Sequence, residues 1–448
     1  MTMKPFHRAV LLALLALSVP LSGCDWIEDT WLGENKKPLP GKRVSVLAHD
    51  SKLKADPNAS EQDLRLPPPE PNADWPQAGG YSSHAMHHMV IGPNLKRNWT
   101  SGVGKGSSDY RRLLTAPVIS GGRIYAMDVQ SRVSAFEEKS GKRLWRIDLT
   151  PDEEDGDDLM GGGLAVDGGR LFATTSFGHI VALDPANGKA LWRNKLNTSL
   201  RAAPTARAGR LFVVTMDNQT HALDQANGKT LWTHNGINEG ASILGATAPA
   251  ADDSVVIAPY SSGELTALRA ENGTVLWSDS LSAGRRTDAV SGLSDIRGRP
   301  IIDRGRVFAV GHGDVMVAID VRSGRRIWES EIGGVQSPWV AGDYLYTITN
   351  ESEVICVEAK NGRIRWVTPL QRWENAEKKK SPIIWAGPLL ASDRLIVTSS
   401  TGMAVALSPY TGKPIGLAEM PDGVSLAPIV ANGQLMFLTD GADLVAYR

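Results

Sequence analysis

Short segments in which apolar and polar residues alternate recur along most of the chain. The copy that ends near Trp232 shows the full pattern: a lead-in "RAAPTARAG", then "RLFVVTM", "THALD" and "KTLWTH". Gly209, Asn218 and the pair Asn227-Gly228 separate these segments, and such residues form the tight turns between antiparallel strands. The 3.6-residue period of an amphipathic helix is absent. The pattern therefore predicts four antiparallel strands per copy.

The copies follow one another at intervals typical of a propeller. In each copy a glycine turn precedes the last strand, and in most copies that strand contains a tryptophan. The seventh copy, "VALSPYTGKPIG", departs from the pattern and has Gly416 at the tryptophan position. Successive copies are 38 to 51 residues apart. Repeats of about this size, with four strands each, form the blades of a β-propeller.

Counting each strand type predicts the number of blades and how the ring closes. The second strand of the repeat occurs eight times: "RIYAM", "RLFAT", "RLFVV", "SVVIA", "RVFAV", "YLYTI", "RLIVT" and "QLMFL". The last third strand, "DLVAYR", ends at Arg448 with no fourth strand after it, whereas a strand containing Trp99 precedes all others. We expect an all-β, eight-bladed propeller of four-stranded antiparallel blades over residues 74–448, closed by the N-terminal strand.

The repeated tryptophan is interpreted as structural. One indole per blade suits packing between adjacent blades, because a catalytic residue is needed once and each buried indole N–H needs one acceptor. The expected inter-blade residues are Trp99, Trp145, Trp192, Trp232, Trp277, Trp328 and Trp366.

The N-terminal residues predict export and a tether. A basic start is followed by the apolar run Ala9–Val19, which is too short to span a bilayer, and then by "LSGC". This segment resembles a bacterial lipoprotein signal, which implies removal of residues 1–23 and lipidation of Cys24. Residues 24–73 are rich in proline and lack periodicity, so we expect a disordered tether there.

Composition narrows the functional classes further. The 448 residues carry a net charge of −1, which gives no sign of a nucleic-acid partner. Cys24 and Cys356 are the two cysteines, so no disulfide framework is expected, and the alternating "EVICVE" places Cys356 in a strand as a small core residue.

Three short motifs could carry chemistry. "HAMHH", with His84, His87 and His88, could bind Zn²⁺ or Cu²⁺, but a solvated loop is the favoured interpretation. The acidic run 152–158 could hold Ca²⁺, although a charged inter-blade loop is favoured. The glycines 161–163 lack the residues of a phosphate-binding loop. We therefore predict no enzyme activity, no cofactor and no metal.

The blade pattern A-x-D-x-x-x-G-K-x-x-W resembles the repeat of the quinoprotein (PQQ-type) propellers, and "DWPQAGG" at 74–80 resembles their entry segment. The alcohol dehydrogenases of that superfamily use two adjacent cysteines beside the quinone, and this chain has no such pair. A lipoprotein signal joined to eight such blades is similar to the BamB family of accessory lipoproteins. That resemblance implies a non-catalytic scaffold on the periplasmic face of the outer membrane.

The same resemblance implies partners and contact residues. BamB-type proteins bind the POTRA domains of BamA, act with other assembly subunits and assist unfolded outer-membrane proteins. The family loop S-L-R-G corresponds to Ser242, Ile243, Leu244 and Gly245, with Leu244 in place of arginine. The family segment R-L-S-D corresponds to Leu293, Ser294 and Asp295, after a departing Gly292. Ordinary inter-blade connections are the alternative for both loops.

Three further alternatives concern location and function. Asp25, directly after the lipidated cysteine, resembles a signal for retention at the inner membrane. A quinoprotein-like enzyme or electron carrier is one rival function. A module that binds envelope sugars is another, and its candidate residues are Trp339, Trp373 and Trp385, for which core or rim packing is the competing interpretation.

Overall fold

The computed structural model describes residues 53–60, 63–154, 161–200, 202–238, 247–282 and 295–448. These residues form eight four-stranded antiparallel sheets, arranged as the blades of a propeller. The predicted fold class and blade number are confirmed. One short helix, α1, covers Pro57–Ser60, and within the described ranges no helix has the length and apolar character needed to cross a membrane.

Each blade of the first half of the ring contains four consecutive strands. The strands of blade 1 are β2 (Val118–Ser120), β3 (Arg123–Met127), β4 (Arg132–Glu137) and β5 (Arg143–Asp148). Blade 2 has β6 (Gly162–Asp167), β7 (Arg170–Thr175), β8 (His179–Leu183) and β9 (Ala190–Lys195). Blade 3 has β10 (Thr205–Arg207), β11 (Arg210–Val214), β12 (Gln219–Asp224) and β13 (Thr230–Asn235). Blade 4 has β14 (Ala250–Ala251), β15 (Val255–Pro259), β16 (Glu264–Arg269) and β17 (Val275–Ser280).

The next three blades repeat this order. Blade 5 has β18 (Ile301–Asp303), β19 (Arg306–Gly311), β20 (Val315–Asp320) and β21 (Arg326–Ser330). Blade 6 has β22 (Trp339–Ala341), β23 (Tyr344–Ile348), β24 (Glu353–Glu358) and β25 (Ile364–Pro369), followed by a hairpin of β26 (Trp373–Asn375) and β27 (Lys380–Pro382). Blade 7 has β28 (Trp385–Ala391), β29 (Arg394–Ser399), β30 (Met403–Leu407) and β31 (Pro414–Glu419).

Blade 8 is built from both ends of the ring. Its first three strands are β32 (Ile429–Ala431), β33 (Gln434–Leu438) and β34 (Asp443–Tyr447), and its fourth is β1 (Arg97–Gly102). In the antiparallel register, Thr100 lies opposite Val445 and Gly102 opposite Asp443. This pairing confirms the predicted closure by the N-terminal strand.

Burial differs between the inner and outer strands of a blade. The second and third strands of blade 2 are buried along almost their whole length, whereas β9 alternates between exposed and half-buried residues. This follows from a propeller's geometry, in which middle strands lie between two neighbouring blades and the outer strand faces solvent. The apolar runs in "RLFATT" and "HIVAL" are therefore the core of the fold.

Residues 72–92, here called the belt, run round the ring before β1 begins. Backbone or side-chain hydrogen bonds join the belt to each blade in turn, from blade 8 through blades 1 to 7. The bonded pairs are Asn72–Val430, Trp75–Ile119, Pro76–Val166, Gln77–Ala206, Ser82–Ala251, Ser83–Ile302, His87–Trp339 and Met89–Ser392. Most of these partners lie near the end of a blade's first strand, close to the turn that leads into its second strand. The belt therefore covers the end of the ring axis at which these turns lie.

The chain before the belt also contacts the propeller. The backbone N–H of Asp56 donates to the carbonyl of Ile364 at 2.8 Å, and the carbonyl of Pro67 accepts from His88 Nδ1 at 2.8 Å. Leu64 and Leu66 pack against the apolar cluster formed by blades 6, 7, 8 and 1. The boundary at residue 74 stays a prediction, and the described residues just before it lie on the propeller surface.

Candidate partner-binding site

The two predicted partner loops belong to neighbouring connections of the ring. Ser242, Ile243, Leu244 and Gly245 fall between β13 and β14, and Leu293 and Ser294 fall between β17 and β18; all six lie outside the described residues, as does Cys24. The flanking residues are described, and they show where both connections leave and re-enter the ring.

The two connections re-enter the ring at one point. Thr247 follows the first undescribed segment, and Ile296 lies two residues beyond the second. The buried Thr247 hydroxyl donates to the carbonyl of Ile296 at 2.9 Å, with the carbonyl of Arg297 as a second acceptor. A buried hydroxyl needs such a partner, so this contact fixes the ends of the two connections against each other.

The residues at which the two connections leave the ring are also hydrogen-bonded to turns within blades 3 and 4. The side chain of Asn218 donates to the carbonyl of Ile237 at 2.6 Å, and the Ile237 N–H donates to Glu264 Oε2 at 2.8 Å. Leu281 N–H donates to the carbonyl of Gly263 at 2.8 Å. Ile237 itself is 58% exposed, so an apolar side chain stands at the edge of the first connection.

Asp295 is the one predicted contact residue whose surroundings are described. Its side chain is 3% exposed, and its carbonyl accepts a hydrogen bond from His312 N–H at 3.0 Å. Burial lowers the pKa of nearby Arg297, and the charge of Asp295 opposes that shift. With so little exposure, Asp295 offers almost no surface to a partner, and its role as a partner contact stays a prediction.

Two of the three histidines of the "HAMHH" motif are buried, although the favoured interpretation placed the motif in a solvated loop. His84 and His88 are buried in the belt, so the prediction of a solvated loop is wrong for these two residues. His84 Nδ1 donates to the carbonyl of Pro300 at 2.7 Å, and burial lowers the pKa of His84 to about 3. His88 Nε2 accepts from Asp393 N–H at 2.9 Å, and His87 Nε2 lies 3.3 Å from Asp303. Among the described side chains, no group of three or more metal-ligating residues comes together.

The other motifs lie in the connection before blade 2 and in its first strand. Residues 152–154 are exposed in the connection between blades 1 and 2, while 155–158 lie outside the described residues. Gly162 and Gly163 belong to β6, and a Cβ on Gly163 would come within 3.0 Å of Ala203. These glycines therefore allow neighbouring blades to approach closely at the ring axis.

The tryptophans of the sugar-binding alternative have packing partners. Trp339 is buried, stacks on Trp75 with ring centroids 6.3 Å apart, and donates its N–H to the carbonyl of His87. Trp385 is buried and donates to the carbonyl of Gln371 at 2.7 Å. Trp373 is half-buried on the β26–β27 hairpin beneath the guanidinium of Arg372.

Cys356 lies at the centre of blade 6. It is fully buried in β24, opposite Tyr346, and burial raises the pKa of its thiol. A thiol in this state is a weak nucleophile and a poor metal ligand, because both roles need the thiolate.

Eight four-stranded blades, seven of which carry the tryptophan of the repeat, define a PQQ-type propeller, and comparisons with known proteins identify the family within that class. The family model described as "Outer membrane protein assembly factor BamB" matches residues 129–368. The curated protein of that name from Alkalilimnicola ehrlichii is 36% identical over 344 residues, covering 76% of this chain and 87% of that protein. The one from Escherichia coli K12 is 28% identical over 346 residues, covering 75% and 85%. The chain therefore belongs to the BamB family.

Solved structures show the same fold. The crystal structure of BamB from Moraxella catarrhalis has a TM-score of 0.67 at 19% identity, covering 79% of this chain and all of that one. Quinohemoprotein alcohol dehydrogenase from Comamonas testosteroni has a TM-score of 0.65 at 14% identity, covering 84% and 80%. At these identities both likenesses concern the fold alone.

Proposed function

We propose that this chain is a non-catalytic lipoprotein component of the β-barrel assembly machinery, which holds BamA through its POTRA domains and assists the insertion of outer-membrane proteins. The observation that carries the proposal is membership of a family named for outer-membrane protein assembly. Cys24 would carry the lipid, residues 24–73 would act as the tether, and the propeller would lie at the periplasmic face of the outer membrane.

The ends of the two predicted docking loops are joined by hydrogen bonds, which suits a role in binding BamA. Thr247, Ile296 and Arg297 join the ends of the two connections, so residues 242–245 and 293–295 would act as one surface. Loops on a rigid β-scaffold often carry binding function, because the scaffold limits the entropy lost on docking. Leu244 stands where the family motif has arginine, so this docking would rely on apolar contact, with Ile243 and the exposed Ile237 beside it.

A second surface would suit an unfolded outer-membrane strand. All six residues of β31 are exposed, with Ile415 at 55% and Leu417 at 68%. Among the described strands, β31 pairs only with β30, so its outer edge is open to an added strand. Site-specific cross-linking from Leu417 to a nascent barrel protein would support this contact, and its absence from every blade edge would remove it.

A pull-down from detergent-solubilised envelopes tests the docking proposal. The tagged parent should recover a BamA-like barrel protein. Leu244→Asp should lose it, because a carboxylate would have to be buried in the apolar part of the interface. The matched control is Leu191→Asp, which places the same charge on the half-exposed outer strand of blade 2.

The outcomes separate the role from the site. If Leu244→Asp loses the BamA-like protein while the parent and Leu191→Asp recover it, both the assembly role and the loop site are supported. Equal recovery with parent and variant keeps the assembly role and removes the loop site, whereas no recovery with the parent contradicts the assembly role. Membrane fractionation of parent and Cys24→Ser protein tests the anchor: the parent should sediment with outer membranes and the variant should be soluble.

A further inference from the structure

The ring encloses a cavity of about 440 Å³ on its axis. Residues that lead into the first strands of the blades form its wall, and Trp75, Ala78 and Gly79 of the belt form its floor. A cavity of this volume is in the range of small-ligand sites. Since belt residues line one end of the cavity, we expect a ligand to enter from the other.

The charged lining of the cavity is mostly basic. Arg112, Arg297 and Arg299 contribute guanidinium groups, and Asp440 contributes a carboxylate. Asp440 already accepts hydrogen bonds from Ser425, through its N–H at 3.2 Å and its hydroxyl at 2.7 Å. These bonds hold the Asp440 carboxylate against the wall of blade 8.

Arg299 is the distinctive member of this lining. Among the described residues, no carboxylate lies within ion-pair distance of its guanidinium, and its Nε has no hydrogen-bond partner. Burial alone lowers its pKa, to about 10. The Arg299 side chain is partly buried in the cavity wall, and removing a cation from water without a counter-charge is costly, so an anion bound there would be stabilising.

The belt holds this arginine in place. A Cβ at Gly79 would lie 2.9 Å from Arg299 Nε, so only glycine leaves room for the side chain, and its φ of +84° also favours glycine. His84, which is 6% exposed, lines a smaller adjoining cavity of about 30 Å³ together with Arg299 and Gly79. Its Nδ1 donates to the carbonyl of Pro300, so its Nε2 is an unprotonated acceptor and leaves anion binding to the arginines.

We propose that the axial cavity binds an oxyanion, a carboxylate or phosphate group, with Arg299 as its main ligand and Arg297 beside it. A guanidinium binds such groups through two parallel hydrogen bonds. The anion comes either from a small free solute or from a carboxylate that a protein partner inserts from the open end. The anion site uses the guanidinium of Arg297, whereas the base of the proposed docking loops uses its carbonyl, so either proposal can fail without the other.

Calorimetric titration of the full-length protein in detergent tests the site. The probes are inorganic phosphate, succinate, and acetyl-triglycine as the free acid and as the carboxamide. The parent should bind at least one of the anionic probes and leave the carboxamide unbound. Arg299→Gln should weaken that binding about tenfold or more, while Arg193→Gln, which removes an exposed arginine of β9, should leave it unchanged.

The pattern of probes distinguishes the sources. Binding of phosphate or succinate assigns a free solute, and binding of the peptide acid alone assigns a protein carboxylate. No binding of any anion, or equal binding by parent and Arg299→Gln protein, overturns the proposal.

Thermal unfolding without anion gives a second readout. Arg299→Met should keep or raise the Tm, because it removes an uncompensated charge, whereas a side chain with a purely structural role would lower the Tm when replaced. A clear fall in Tm for Arg299→Met would contradict the ligand role.

Discussion

Seven of the eight blade junctions carry a tryptophan, whereas the junction between blades 7 and 8 has Gly416 at that position. At each of these seven junctions, the indole N–H donates to a backbone carbonyl in the next blade at 2.8 to 3.1 Å. A glycine with positive φ lies against each ring, in the turn between the third and fourth strands of that next blade. The pairs are Trp99–Gly141, Trp145–Gly188, Trp192–Gly228, Trp232–Gly273, Trp277–Gly324, Trp328–Gly362 and Trp366–Gly412.

The eighth junction has no turn for a tryptophan to reach. In blade 8 the third strand β34 is followed by the end of the ring at Arg448, and the fourth strand β1 comes from the N-terminal side. The carbonyl acceptor and the glycine are therefore both missing from that position. The absence of tryptophan at 416 follows from the way the ring closes.

Other contacts hold blade 8 together. Lys96 and Arg448 exchange two backbone hydrogen bonds of 2.9 Å, which extend the β1–β34 pairing. Asn432, in blade 8, donates from its side chain to the Glu138 carboxylate of blade 1 at 2.9 Å. Between blades 7 and 8 lies an apolar groove of about 380 Å³, lined by Gly416 and Leu417 of blade 7 and by Phe437 and Tyr447 of blade 8.

The largest expected effect comes from removing a buried junction tryptophan. Trp366→Ala should lower the free energy of unfolding by about 3–5 kcal/mol, because it opens a cavity and leaves the Pro409 carbonyl with only the longer bond from the Tyr346 hydroxyl. Chemical denaturation measures this loss. Exposed Leu191→Ala is the control, and a loss for Trp366→Ala no larger than the control's would contradict the junction's importance.

The glycine partner of the tryptophan can be tested with a matched pair. Gly228 (φ +73°) lies against Trp192, whereas Gly209 (φ +75°) has nothing within 4 Å of its missing Cβ. Gly209→Ala should cost only backbone strain, about 1–2 kcal/mol. Gly228→Ala should cost about 3 kcal/mol, because the methyl group also displaces the indole. Equal losses in the two variants would show that the ring contact is unimportant.

The belt should have a smaller effect at a single residue. Gln77 is buried, and its side chain both donates to the carbonyl of Ala206 and accepts from its N–H. Gln77→Ala leaves two backbone groups without partners and should cost about 2 kcal/mol. Gln371→Ala, at an exposed glutamine between blades 6 and 7, is the control for urea unfolding. An unchanged midpoint for Gln77→Ala would mean that the belt adds nothing to the ring.

The smallest effect is expected from restoring the repeat at the eighth junction. Gly416→Trp should change stability by no more than about 0.5 kcal/mol, because the new indole has no turn and no carbonyl acceptor to meet. The measurement is the same denaturant series. A gain comparable to the loss in Trp366→Ala would contradict the view that tryptophan works only together with the turn.

The blades could be predicted from the sequence because the patterns that specify them are local and recur in each copy. Alternation in "RLFVVTM", the turn at Asn227-Gly228 and the spacing of the tryptophans each recur, so one copy supports the next. The unmatched strand at Trp99 similarly indicated the closure. The β26–β27 hairpin was missed, since it is an insertion that occurs once.

The belt could not be predicted in the same way. It forms isolated hydrogen bonds to one blade after another, so neither a period of 2 nor a turn motif marks it, and His84 and His88 looked like solvent-exposed residues. Arg299 was missed for a related reason. The alternation in "DIRGRP" places two arginines before an inner strand, but only the ring topology shows that they face an enclosed axis.

The central claim is that the connections at 242–245 and 293–295 form one docking surface for the assembly machinery. Photo-cross-linking in living cells tests it most directly, with a photoreactive residue placed at Leu244, at Leu293 or, as a control, at Leu191. We expect the first two positions to trap the same BamA-like barrel protein and the control to trap none of it. Trapping of two unrelated proteins, or of no envelope protein at either loop, would contradict the claim.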